Sequence, residues 1–362
     1  MNGSVKSLIV TYLCLVLFSN CSARKSFLLE FVDDYEIRQV HDKSNVAFGG
    51  ISGIDYDFDA DLLYLVSDDR SEFGPARIYT SKFTMGNDNS ISVHGLKVVV
   101  LNDSSENPYE KEKADFESVR YLKQGKQYVV SNEGGKRGKA GISFFDENGY
   151  WKNDFPLDTK YVKNFRSNKS IESIVLSEDQ KTIFFATEAP LVFDGPESSS
   201  RHGGLLRIIK ADLVSGKEKE TWLYKLEKVP QKVKMPYARE GGWVADNGLS
   251  ELLVLDEEHL LALERSGAYQ PDGHFKFICR LFLVKKGKKV KKGDDGETYF
   301  RVQKKKLFDF SKMQNGLSNI EGMSLGPHVD NSQTLLFASD NNFKETVPTR
   351  FYLFKIKEEG SD

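Results

Sequence analysis

One pattern recurs five times along the chain and limits what it can fold into. A small or acidic residue opens a short apolar segment, a turn follows, and a second apolar segment ends in Ser, Ala or Leu beside an acid or amide. The first copy is ISGID at 51–55 with LLYLVSDDR at 62–70. The second is DFESV at 115–119 with QYVVSNE at 127–133, and the third SIESIV at 170–175 with TIFFATE at 182–188. The fourth is GLSELLV at 248–254 with HLLALER at 259–265, and the fifth NIEGMS at 319–324 with TLLFASDNN at 334–342. Copies of one supersecondary unit at such a period indicate a radial or stacked array.

The apolar runs are continuous, as in strands buried on both faces between neighbouring units. Further strands are expected at 77–80, 141–145, 205–209 and 351–354, and residues 78–83 alternate like an outer strand. No long stretch of helical periodicity is present. Aromatic residues reach 12%, with 25 Phe and 15 Tyr, and 29 Gly supply turns. The reading is all-β, a single β-propeller over 27–358. A strand within 27–40 would join the C-terminal strand and close the ring, removing exposed edges. Copies lie roughly 55 to 80 residues apart, against about 40 to 50 for a plain four-stranded blade, so long loops are expected. Five units plus one composite blade predict six blades, with five or seven left open.

Net charge is -2, from 51 basic and 53 acidic residues, which gives no reason to expect nucleic acid as partner. The chain is expected to be monomeric. Residues 1–22 read as a signal peptide: Lys6 precedes the apolar run 8–18, too short for a bilayer core of ~30 Å. Its end, LFSNC at 17–21, resembles a loose lipobox, with Cys21 as the residue to be lipidated and cleavage near Ala23 as the alternative. The protein is therefore expected to be secreted, periplasmic or membrane-anchored as a lipoprotein, touching membrane only through that lipid. Cys14 and Cys21 belong to this segment, so Cys279 alone is interior and is expected to pack as a small apolar residue.

Several motifs carry little. GMSLG at 322–326 fits G-x-S-x-G but sits within an expected strand, not a strand-to-helix elbow. DYDFDAD at 55–61 starts like a calcium loop but lacks the glycine and the closing Glu, and reads as a hairpin turn. The lysine-rich run 285–296 reads as a solvated hairpin between strands. The stretch 194–204 is read as turn chemistry, or else as a loop over one face.

The repeat places acids at two matched positions. One holds Glu117, Glu172, Glu251 or Ser250, and Glu321; the other holds Asp68, Asn132 or Glu133, Glu188, Glu264 and Asp340. In a radial array these converge, and so many carboxylates repel unless a cation, protons or basic groups offset them. Many oxygen ligands suit Ca²⁺. The expected ligand set is Asp68, Glu117, Glu133, Glu172, Glu188, Glu264, Glu321 and Asp340. Arg70 and Arg265 beside them could hold an anion through a bidentate fork.

Read together, NGLSELLVLD at 247–256, LALERSG at 261–267, NIEGM at 319–323, ASDNNF at 338–343, GISGI at 50–54, VSDDR at 66–70 and DFESV at 115–119 resemble the phytase-like propeller family labelled esterase-like activity of phytase. The resemblance spans roughly 45 to 355 and implies a propeller, export and ester hydrolysis. Ser118 and Ser173 stand where it expects glycine. The leading expectation is a calcium-dependent hydrolase of a small anionic, phosphoric ester, with Glu117, Glu172 and Glu321 as ligands or general base and Arg70 and Arg265 on the anion. Alternatives are a non-catalytic surface propeller binding a glycan, peptide or protein, and a calcium-dependent lactonase or carboxylesterase.

Overall fold

A computed structural model describes residues 27–38, 46–230, 245–269, 275–290, 298–313 and 319–358. The signal segment and Cys21 lie outside the described residues. The first strand, β1 (Phe27–Ile37), is followed by five antiparallel meanders. The first is β2 (Ile51–Asp57), β3 (Leu62–Ser67), β4 (Arg77–Met85) and β5 (Ile91–Val100). The second is β6 (Phe116–Leu122), β7 (Gln127–Asn132), β8 (Gly141–Asp146) and β9 (Trp151–Asp154). The third is β10 (Ile171–Leu176), β11 (Thr182–Thr187), β12 (Leu205–Asp212) and β13 (Glu218–Lys225). The fourth is β14 (Ala245–Val254), β15 (His259–Tyr269), β16 (Phe275–Val290) and β17 (Tyr299–Asp309). The fifth is β18 (Asn319–Val329), β19 (Ser332–Asp340) and β20 (Thr349–Glu358), completed by β1.

The innermost strands β2, β6, β10, β14 and β18 pack one against the next and back to β2, which closes a ring. The described strands thus form a propeller of five blades, not six. As expected, the strand within 27–40 joins the C-terminal strand, pairing with β20 from Phe27↔Glu358 to Ile37↔Thr349, and it completes the fifth blade rather than adding a sixth. The excess spacing goes into loops and into the long β16–β17 ribbon. The lysine-rich run is part of a hairpin, as expected: residues 285–290 form one arm, paired to β17 up to Val290↔Tyr299. The rest of the run, 291–297, lies outside the described residues. β17 pairs in parallel with β13 at Thr221↔Tyr299 to Leu223↔Arg301, joining the third and fourth blades edge to edge.

Burial follows the expected logic. All six residues of β10 and of β11 are buried, whereas β4 alternates towards its outer end. Cys279 is buried among apolar residues of β14 to β19, and burial pushes its thiol up to about 12. The 55–61 stretch is a hairpin turn, with the Tyr56 hydroxyl donating to Asp61 at 2.7 Å. The 194–204 stretch is pinned: Arg207 grips Asp194 at 2.7 and 2.8 Å, and Arg166 donates to the Gly195 carbonyl at 2.7 Å.

Every innermost strand slips register at the same place, between Ile51 and Gly53, Phe116 and Val119, Ile171 and Ser173, Leu249 and Glu251, and Ile320 and Gly322. A bulge re-aims the extra residue's side chain, and here the extra residues are those of the acidic motif. Close approach at the axis explains the missing side chain at Gly53: a Cβ there would lie 2.6 Å from the Glu117 carbonyl oxygen and 2.7 Å from Ser118 Cα. Gly53→Ala should therefore lower stability by about 1–3 kcal/mol in urea unfolding; an unchanged midpoint would mean that β2 and β6 can part freely.

Candidate functional site

The shared bulge fixes which residues are equivalent. Ser52, Glu117, Glu172, Ser250 and Glu321 occupy the slipped position in the five blades. Between the two sequence options in the fourth blade, Ser250 is the equivalent and Glu251 is the next residue along. The second strands of the blades then deliver Asp68, Glu133, Glu188, Arg265 and Asp340, each one residue beyond the partner of the motif's first residue.

Glu264 does not belong to this ring. It pairs across from Leu249, as Ser67 pairs with Ile51, so its side chain leaves the strand one position early. It is fully buried and saturated: Tyr224 Oη and Asn247 Nδ2 each donate at 2.7 Å, the Glu227 N–H at 3.0 Å and Lys304 Nζ at 2.5 Å. Matching by acidity misplaced it, because the fourth blade carries a base, Arg265, where the others carry an acid.

The remaining acids converge at one end of the axis. Ligand atoms of Asp68, Glu321 and Asp340 lie within 4.8 Å of one another, as do those of Asp115, Glu117 and Glu133, and those of Glu133, Glu172 and Glu188. Asp115 was missed among the candidates. It opens the second copy where the others have Gly50, Ser170, Gly248 and Asn319, so recurrence could not reveal it.

Few groups balance this charge. Arg70 pairs with Asp115 through Nε at 2.8 Å and also meets Asn168. Arg265 lies 3.3 Å from both Glu188 and Glu321. Ser52 Oγ donates to Glu117 at 2.5 Å, and Asn319 Nδ2 donates to Glu321 at 3.0 Å and Asp340 at 3.2 Å. Asp115 Oδ1 and Glu133 Oε1 are buried with no hydrogen-bond partner among the described residues. The Glu172 carboxylate accepts no hydrogen bond there either, although the residue is only 5% exposed.

Burial, reinforced by neighbouring charges, pushes these carboxyls up. Asp68 rises to about 7 through burial and then Glu321. Asp340 rises to about 8 through burial and Asp68, and Glu321 to about 8 through burial despite Arg265. Glu117, Glu133 and Glu172 stand well above the usual carboxylate range, from burial first and then Asp115, Glu188 and Glu117 respectively. Glu188 and Asp115 are raised by burial against Lys169 and Arg70.

Beyond the cup, the axis is closed by a polar clasp. Glu251, fully buried, accepts from Ser173 Oγ at 2.7 Å and Ser118 Oγ at 3.0 Å, and pairs with Arg120 at 3.0 Å. Arg120 also donates to the Ile54 carbonyl at 2.8 Å and the Leu252 carbonyl at 3.0 Å, so the clasp touches four blades. The serines in place of glycine, Ser118 and Ser173, are the donors that let a carboxylate sit there. Ser324, of the 322–326 motif, is buried in β18, where its Oγ accepts from the Tyr56 N–H at 3.1 Å and donates to the Leu325 carbonyl at 3.0 Å. No nucleophile elbow is formed.

No curated protein matches the sequence. Among solved structures, a thermostable family-43 glycoside hydrolase is 11% identical, with 89% of this chain and 96% of that one covered and a TM-score of 0.42. The catalytic domain of an α-L-arabinofuranosidase from Coprinopsis cinerea is 11% identical, with 93% and 98% covered and a TM-score of 0.40. An α-L-arabinanase from Cellvibrio cellulosa is 10% identical, with 85% and 91% covered and a TM-score of 0.40. Likeness of that degree carries no weight for blade count or function. The family comparison does: a model described as phytase-like, esterase-like activity of phytase, matches residues 46–343. With the repeated acidic motif and the innermost strands of all five blades inside that span, the chain belongs to the phytase-like family.

Proposed function

We infer that the protein is a calcium-dependent hydrolase of a small anionic ester, a phosphoric ester first. The observation that supports this is the cup of eight carboxylates, offset by Arg70, Arg265 and Lys169 and holding the unpartnered oxygens Asp115 Oδ1 and Glu133 Oε1. Hard oxygen donors in such number fit Ca²⁺. Asp115, Glu117, Glu133 and Glu188 would hold a cation on one side, and Asp68, Glu321 and Asp340 on the other. When bound, calcium supplies Lewis acidity to a phosphoryl oxygen and a bound water of lowered pKa. Arg70, 30% exposed at the rim, is the chain's own group for the anion; Arg265, deeper between Glu188 and Glu321, offsets charge. Glu172, with no hydrogen bond to its carboxylate, is the group assigned to take a proton from the attacking water. Export of the chain is part of the same proposal and rests on its N-terminal segment.

The test is turnover of 4-nitrophenyl phosphate with calcium and with EDTA. EDTA should abolish it, and Glu117→Gln and Glu172→Gln should each lower it by about 100-fold or more. Turnover indifferent to EDTA overturns the reading. The cup's low exposure, 5% at Glu172 and 8% at Glu117, favours one rival, a binding propeller whose cation is structural. That rival predicts calcium-dependent thermal stability without hydrolysis of any ester.

A further inference from the structure

We propose that the outer face of Phe73 is a subsite for the non-reacting ring of the substrate, so that the cup receives the anionic group of a ring-bearing ester. The ester part rests on the hydrolase reading; the ring part rests on separate observations. Phe73 is 55% exposed and stacks on Phe343, with ring centroids 4.5 Å apart and planes inclined by 17°. Both rings sit on loops that leave the cup, one after Asp68 and one after Asp340. A Cβ placed on Gly50 would lie 2.3 Å from Asp68 Oδ1 and 2.5 Å from Phe343 Cε2, so a cup carboxylate and the aromatic pair bracket one glycine.

The pair is braced from below. The Phe73 N–H donates to Asp69 Oδ1 at 3.1 Å, and Asp69 Oδ2 pairs at 2.6 Å with Arg77, whose side chain is fully buried. The Arg77 guanidinium lies 5.6 Å from the centre of the Phe343 ring. Asn342 and Phe343 hold left-handed backbone, φ 49° and 53°, fixed by Asn341 Oδ1 accepting the Phe343 and Gly50 N–H groups at 3.0 Å. Bulky residues adopt that conformation at a cost. A buried ion pair and a strained turn thus hold rigid a phenyl ring whose free face meets water. A flat ring stacking there recovers the apolar contact without further ordering. An aryl group and the C–H face of a sugar share this chemistry.

Calorimetric titration of the Glu172→Gln protein in calcium buffer tests it with inorganic phosphate, propyl phosphate, phenyl phosphate and glucose 1-phosphate. The ring-bearing probes should bind about 10-fold more tightly than propyl phosphate, and whichever of the two gains identifies the ring. Phe73→Ala should erase that gain and leave inorganic phosphate unchanged, and Phe73→Trp should restore it. Equal affinity of ring and propyl probes, or a Phe73→Ala loss shared by inorganic phosphate, overturns the subsite while the hydrolase reading stands. Failure of inorganic phosphate to bind the native protein sinks the hydrolase reading and the subsite with it.

Discussion

In EDTA the protein should unfold at a higher temperature at pH 5 than at pH 8, and added calcium should raise the unfolding temperature most at pH 8. Asp340 and Glu321 rise to about 8 in the folded state and Asp68 to about 7, from ordinary values of 3.8 for Asp and 4.5 for Glu. The folded chain therefore holds protons that the unfolded chain has released. This stabilisation is complete below the unfolded values and is lost as pH climbs through about 7 to 8. Each such proton contributes about 1.4 kcal/mol per pH unit across the window. Calcium competes with the same protons, so its binding strengthens with pH, and calcium at 100 times its Kd adds about 2.7 kcal/mol. Thermal scans at pH 5, 6.5 and 8, with and without calcium, check this. Glu321→Gln with Asp340→Asn should flatten the EDTA series. A metal-free protein equally stable at pH 5 and pH 8 would falsify the account of the cup.

Removing Arg120 should have the largest effect on stability of any single change outside the cup. Glu251 would remain buried without its counter-charge, and breaking one half of a buried pair costs about 3–5 kcal/mol. Urea unfolding of Arg120→Leu measures this at pH 8. The loss should shrink at pH 5, because Glu251, already pushed up to about 7 by burial, is then neutral. A double change, Arg120→Leu with Glu251→Leu, should recover much of the loss. If the single variant unfolds like the native protein, the clasp does not hold the blades together.

Much of this architecture was legible in the sequence because the repeat is itself a physical statement. The ISGI, FESV, IESI, LSEL and IEGM segments share one bulge, and a shared bulge sends matched side chains to one place. That logic found Glu117, Glu172 and Glu321 without a structure. It failed where a blade breaks the pattern. Glu264 was matched by its charge when only register shows that Arg265 is the equivalent. Asp115 was passed over because no other blade has an acid there. The pairing of the N-terminal strand with the C-terminal one was legible too; the blade count failed because that strand was counted towards a separate composite blade when it completes the fifth. The aromatic pair Phe73–Phe343 was invisible because its residues lie just beyond the first and the fifth copies and meet only when the ring closes.

That end-to-end pairing sets the order of events when the protein is made. The fifth blade stays incomplete until residues 349–358 have been made, because β1 pairs only with β20. Until then β1 waits with its edge unpaired and Leu28 and Phe31 still partly open even in the finished fold. Contacts of such sequence separation fold slowly. Completion of the fifth blade by β1 is therefore expected to trail the local hairpins in folding.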